Sequence, residues 1–143
     1  TGGHGWFRQR CRAQRAVLIV FNPTAGGRRR VLLRRAMDTL VRLGRAADLA
    51  ETTAPGHATW LAQDAVRRGI LLVVAAGGDG TIAEVANGIA GSAATLGILP
   101  FGTANVLAWE LGLPQGPEAA AAVLAGGRVV PRGSSSMRSR PAR

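Results

Sequence analysis

Residues 77–84, Gly77-Gly78-Asp79-Gly80-Thr81-Ile82-Ala83-Glu84, hold the residue types whose spacing could do chemistry. A continuously apolar run, Ile70 to Ala76, comes before them and reads as a strand buried on both faces. After Thr81 an apolar stripe at helical spacing begins, with Ile82, Val85, Ala86 and Ile89. Strand, glycine turn and helix together aim backbone N–H groups and a helix N-terminus at an anion. The glycines let the backbone turn and come close to a ligand. Asp79 is the odd residue, because a carboxylate facing phosphate repels it unless a divalent cation or ordered water lies between. The loop therefore reads as a nucleotide-phosphate site with an associated metal. The plainer alternative is a strand-to-helix turn in which Asp79 makes a local side-chain turn.

Several other chemistries are excluded or disfavoured. All 18 basic residues are arginine, so the lysine of a Walker loop and the strand lysine of a protein kinase are both missing. Gly78-x-Gly80-x-x-Ala83 fits the dinucleotide pattern, but it follows the third strand and not the first. No Asp or Glu lies from Val85 to Trp109 to hold a ribose. His4 and His57 are far apart and no Cys/His cluster has zinc spacing. His57, at a helix start, reads as a surface residue. Trp60 and Trp109 read as packing residues, and Thr52 as part of a turn.

The elements that would position the loop follow from the rest of the chain. Ala16 to Phe21 is a first apolar strand, running into Asn22-Pro23-Thr24-Ala25-Gly26-Gly27. A helix is expected from about Arg28 to Leu43, with Leu33, Ala36, Met37, Leu40 and Val41 inward. Ala46 to Thr53 is a short strand, and Ala58 to Arg68 a second helix with Ala58, Leu61, Ala62, Ala65 and Val66 inward. Thr95 to Leu99 is another buried strand, entering Pro100-Phe101-Gly102-Thr103-Ala104-Asn105. A short helix over Val106 to Leu111 and a last one over Glu118 to Ala125 complete the series. Four strand–helix repeats predict an α/β fold: an open, mostly parallel sheet with helices on both faces and right-handed crossovers. The three glycine-containing loops then share the carboxyl edge, where such sheets bind ligands.

Composition agrees with one domain or part of one. The chain has 143 residues, 47% of them hydrophobic and only 4% aromatic, so its core is built from Ala, Val, Leu and Ile. No apolar run approaches a membrane span of ~20 residues. One cysteine, Cys11, excludes an internal disulfide and points to a reducing compartment. The net charge of +10 is concentrated in the tails. Nine of the arginines lie before residue 16 or after residue 126, and the other nine face all eight acids. Residues 1–15 and 127–143 read as disordered, solvated tails, with 16–126 as the folded unit. The chain begins with Thr and not Met, so its true start is expected upstream or removed.

Three motifs occur in order, each after a strand. They are Asn22-Pro23-Thr24-Ala25-Gly26, then Gly77-Gly78-Asp79-Gly80-Thr81 with Glu84-Val85-Ala86-Asn87-Gly88, then Pro100-Phe101-Gly102-Thr103-Ala104-Asn105. Together they resemble the N-terminal, ATP-binding part of the diacylglycerol kinase catalytic domain family, which includes bacterial lipid kinases. The GGDGT element alone is also shared with NAD kinases and phosphofructokinases. The resemblance implies an NAD kinase-like or diacylglycerol kinase-like N-terminal domain over about Ala16 to Gly126. It implies that ATP is held by Asn22, Pro23, Thr24, Ala25 and Gly26 and by Gly78, Asp79, Gly80, Thr81, Ile82, Ala83 and Glu84. Thr52 and Thr103 would add contacts, and Asp79 would join a Mg2+–water network. A lipid hydroxyl at the membrane surface would attack the γ-phosphate of ATP, in a cytoplasmic chain that can meet the inner membrane surface. No specific nucleic acid partner is implied.

Two departures stand out. Val106 takes a position where the family often has Asp, as in a bacterial subgroup reading Gly-Thr-Ala-Asn-Val. Family members also continue into a β-sandwich domain that carries the catalytic base and the lipid pocket, whereas here a Ser/Arg tail follows. The fragment is therefore expected to be inactive alone, with no catalytic residue of its own, as a truncated or frame-shifted product would be. Two further readings are a non-catalytic nucleotide-binding remnant and a basic module acting on nucleic acid or membranes through its tails.

Overall fold

The computed structural model describes residues 16–24, 27–101, 109–114 and 116–126. Its elements alternate: β1 (Val17–Phe21), α1 (Gly27–Arg42), β2 (Ala47–Glu51), α2 (His57–Arg67), β3 (Leu72–Gly77), α3 (Asp79–Ile89), β4 (Thr95–Pro100) and α4 (Pro117–Ala125). The strands form one sheet in the order β2-β1-β3-β4, and every pairing is parallel. The expected fold class therefore holds. Boundaries differ from those read in the sequence mainly at β2, which is shorter than Ala46–Thr53, and at β3, which begins at Leu72 and not at Ile70.

The strand sequences explain the layering. Side chains alternate across a strand, and both sides of β1 and β3 are apolar. Val17, Ile19, Phe21, Val74 and Ala76 meet Leu33, Ala36 and Leu40 of α1 and Ala120, Ala121 and Leu124 of α4. Leu18, Val20, Val73 and Ala75 meet Ala58, Ala62 and Ala65 of α2 and Ile82, Val85 and Ile89 of α3. The chain leaves β1 toward β2 over the first face and leaves β3 toward β4 over the second. A single crossover hand requires that reversal.

Two glycines set how closely these layers approach. A Cβ on Gly88 of α3 would lie 2.5 Å from the Thr59 carbonyl oxygen and 2.6 Å from the Ala62 Cβ, so α2 and α3 pack backbone to backbone there. A Cβ on Gly97 of β4 would lie 2.6 Å from the Leu124 Cδ2, so α4 sits directly on the sheet. On the outer surface α4 is joined to α1 by a two-pronged ion pair, Arg35 Nε and Nη2 to the Glu118 carboxylate at 2.6 and 2.9 Å. The Arg35 hydrogen bond holds the Glu118 carboxyl below its ordinary range.

Three sequence expectations fail on the surface. Val41 was expected inward but is 68% exposed. It lies about 100° round the helix from Leu40, and Thr39 takes an inward place instead, its hydroxyl satisfied by the Arg35 carbonyl at 3.0 Å. Trp60 and Trp109 were expected to pack but are 53% and 69% exposed. The inward stripe of α2 is made of alanines, Trp60 falls on the opposite side, and its ring lies over His57 with centroids 6.2 Å apart.

Two outcomes test this packing. Gly88→Ala should destabilise the chain by about 1–3 kcal/mol through overpacking, measured by denaturant unfolding, although alanine is the better helix former. The second outcome concerns Glu118. A carboxyl whose folded pKa is depressed adds stability above its unfolded pKa of about 4.3. That stability is lost as pH falls through the lower folded value. The melting temperatures of wild type and Glu118→Gln should therefore converge in acid and separate above that window.

Candidate functional site

The carboxyl ends of the four strands form one stitched rim. Asn22, just past β1, donates its N–H to the Ala76 carbonyl of β3 at 3.2 Å. Thr52, just past β2, donates its N–H to the Phe21 carbonyl at 2.8 Å. Phe101, just past β4, donates its N–H to the Gly77 carbonyl at 3.0 Å. Each pairing thus runs on into the first residue of its loop, which fixes where the loops start. Beneath the rim the buried rings of Phe21 and Phe101 meet edge to face, with centroids 6.5 Å apart.

The chain departs from β1 and β3 in opposite directions, so the crevice between their ends is the topological switch point, where open α/β sheets take ligands. On its β1 side stands an Asx turn. The Asn22 Oδ1 accepts the Thr24 N–H at 3.0 Å and also the Thr24 hydroxyl. The turn follows from the sequence, because Asn closes such turns and Pro23 withdraws one N–H from competition.

On the β3 side stands the N-terminus of α3. Gly78 is its N-cap, with extended backbone and no side-chain cap. The first helical bond runs from the Ile82 N–H to the Gly78 carbonyl at 3.1 Å. The N–H groups ahead of Ile82 have no acceptor within the helix. This end of the helix carries the positive pole of its dipole, and Asp79 lies in the first turn, where negative charge is favoured. A Cβ on Gly80 would meet nothing within 4 Å, so the turn faces open space. A Cβ on Gly77 would lie 2.8 Å from the Thr81 Oγ1, so Gly77 is required by a close approach.

Not every expected site residue faces that space. Thr81 and Ile82 are buried with the core, so only their backbone could serve an anion. Ala83 lies exposed on the helix surface. Glu84 turns to the loop before α2, where its Oε1 accepts the Gly56 N–H, while its carbonyl accepts the Thr59 hydroxyl at 2.9 Å. Thr52 sits at the rim, half-buried. Ala25, Gly26 and Thr103 lie outside the described residues, as do residues 106–108 of the expected short helix and both tails. Among the described residues no group of three or more His, Cys, Asp or Glu is placed to hold a metal ion. A cation at this rim would therefore take one carboxylate and several oxygens from its ligand and water, as Mg2+ does with phosphates.

Sequence reasoning missed two features of this neighbourhood. One is the link from Glu84 to Gly56, which joins residues 28 positions apart. The other is Arg30, in the first turn of α1. Its guanidinium lies 5.7 Å from the Phe21 ring centroid and 2.5 Å from the Glu51 Oε1. The Arg28-Arg29-Arg30 run beside a phosphate-type loop was the available signal for the second.

An all-parallel sheet whose switch point presents a helix N-terminus with no side-chain cap defines a class of α/β domain that takes ligands at that edge. Residues 16–135 match the family described as Diacylglycerol kinase catalytic domain, and the chain belongs to that family. It is 40% identical over 102 residues to the diacylglycerol kinase of Bacillus subtilis (strain 168), a match covering 68% of this chain and 33% of that protein. It is 37% identical over 118 residues to a "Probable lipid kinase YegS-like" protein of Klebsiella pneumoniae (strain 342), covering 81% of this chain and 39% of the relative. A crystal structure of a diacylglycerol kinase from Bacillus anthracis str. Sterne superposes with a TM-score of 0.70 at 30% identity, covering 80% of this chain and 43% of that one. The chain thus spans about a third to two fifths of the length of the relatives it matches.

The glycines of the loop should separate by role. Gly77→Ala should lower stability by about 1–3 kcal/mol, because it forces Thr81 off its place. Gly80→Ala should be neutral or stabilise by up to about 1 kcal/mol, since it adds helix propensity in open space. Chemical denaturation of both variants checks this.

Proposed function

We propose that this chain is the ATP-binding lobe of a kinase that transfers the γ-phosphate of ATP to a lipid hydroxyl of diacylglycerol type. The observation that carries the reading is the uncapped N-terminus of α3, open at Gly80, set across the switch point from the Asn22 turn. Its dipole and the first-turn N–H groups that the helix ladder does not use suit phosphate, and Gly80 leaves space beside them. Membership of the diacylglycerol kinase catalytic domain family supports a kinase donor and a lipid acceptor.

On this reading Asn22 to Gly26 and Gly78 to Thr81 hold the phosphates through backbone groups, while Thr52 and Thr103 line the nucleotide. Glu84, Ile82 and Ala83 act through the helix they belong to. Asp79 would hold Mg2+ through water. The metal would neutralise charge on the phosphates, and Asp79 keeps a negative group where that charge is needed. Phosphoryl transfer asks mainly for positioning and charge stabilisation, and the strand-anchored loop starts at Asn22, Thr52 and Phe101 serve the first. The catalytic base and the lipid pocket belong to the portion of the relatives that this chain does not span. The folded lobe covers residues 16–126, flanked by the basic segments 1–15 and 127–143. Among the described residues no helix is long and apolar enough to cross a membrane.

Calorimetric titration of the chain with ATP, with and without Mg2+, tests the proposal. Wild type should bind, and more tightly with Mg2+. Asp79→Ala should lose most of the Mg2+ dependence while remaining folded, as far-UV circular dichroism checks. Gly80→Ala should weaken binding by about tenfold. No heat with wild type, or an unchanged Mg2+ dependence in Asp79→Ala, would refute it.

A further inference from the structure

Glu84 was read from the sequence as the last residue of the phosphate cradle, yet its carboxylate is engaged elsewhere. It sits on the second turn of α3, and its Oε1 accepts the N–H of Gly56. Gly56 is the N-cap of α2 and adopts φ 84°, a left-handed conformation that suits glycine. No side chain of its own element caps α2. The same residue receives a second tie, from the Thr59 hydroxyl to the Glu84 carbonyl at 2.9 Å. Gly88, one turn further along α3, lets the Thr59 backbone come close enough for that bond.

The tied segment is short and leads straight to the rim. Thr52 is pinned to β1 by its N–H, and Thr53 donates its N–H to the His57 Nδ1 at 3.0 Å. Between the Thr52 and Thr53 anchors and the start of α2 lie only Ala54, Pro55 and Gly56. Fixing Gly56 on α3 therefore fixes the loop after β2 relative to the loop after β3.

We propose that Glu84 is a positioning residue, not a ligand contact: its carboxylate oxygen clamps Gly56 so that Thr52 and the first turn of α3 are held in register around one site. The role at the site rests on the nucleotide reading above, whereas the clamp itself does not. What the clamp needs is an acceptor oxygen at glutamate reach; it does not need a negative charge. A hydrogen-bond role and a charge role therefore rank substitutions in opposite orders. Glu84→Gln keeps an acceptor at the same reach and removes the charge. Glu84→Asp keeps the charge and falls one methylene short.

The test measures two quantities on the full chain and these two variants. The first is amide hydrogen exchange at Gly56 without nucleotide. Wild type and Glu84→Gln should protect this amide, and Glu84→Asp should exchange about tenfold faster or more. The second is ATP–Mg2+ affinity by calorimetry. Glu84→Gln should stay within about twofold of wild type, and Glu84→Asp should bind about tenfold more weakly. Equal exchange in all three chains would overturn the clamp. Affinity kept by Asp and lost by Gln would overturn the positioning role in favour of a charged contact. A wild-type chain that protects Gly56 but takes up no ATP would fail the nucleotide reading and leave the clamp standing.

Discussion

The pairing of β1 with β3 is the constraint on which the rest depends. Both strands are apolar on both sides, and each must be covered twice. A strand buried on both faces has no polar side to offer water, so it belongs in the middle of a sheet with helices above and below. Once β1 and β3 lie side by side and parallel, their following loops emerge at the same edge. Because β2 and β4 flank them on opposite sides, the chain must leave over opposite faces. The crevice between the Asn22 turn and the start of α3 follows from that reversal.

The same pairing holds the described start of each loop at the rim. Loops normally carry mobile backbone with few fixed partners. Here the ladder hydrogen bonds continue one residue beyond each strand, through Asn22, Thr52 and Phe101. The Phe21 and Phe101 rings fill the volume directly beneath. The glycines play unequal parts in this arrangement. Gly77 and Gly88 serve close packing, whereas Gly80 adds nothing to packing and leaves a space. Conformational freedom is not the reason for the loop glycines, since none of residues 77, 78 and 80 has a positive φ. The glycine with left-handed backbone in this region is Gly56, in the neighbouring loop.

Legibility in the sequence divides along the same physical line. The strands, the helices, their order and the convergence of the loops were readable because continuous apolar runs and helical stripes encode burial locally. The strand-to-helix turn at 77–80 was readable because its glycines and Asp79 sit in consecutive positions. Faces set by competition between neighbours were not. Val41 lost its inward place to Thr39, whose hydroxyl finds a partner within its own helix, and no apolar count reveals that. Trp60 is large and apolar, but the small residues of α2 face α3, and a close helix pair has no room for an indole there. The Glu84–Gly56 link was illegible because it depends on two helices approaching at Gly88 and on a loop conformation set by neither residue alone.

That last point bears on what a site motif means. A run of residues such as 78–84 invites the view that each member touches the ligand. On a helix, however, side chains point round a full circle in fewer than four residues. Of the seven, Ile82 must face the core, Thr81 is buried under Gly77, and Ala83 looks outward. Only the start of the helix can present its backbone to the crevice, and Glu84 is already one turn past it. The Glu84 side chain is accounted for by what α3 holds, the N–H of Gly56. One stretch of chain thus carries both a helix end at the sheet rim and the hydrogen bonds that tie α3 to the loop beside it.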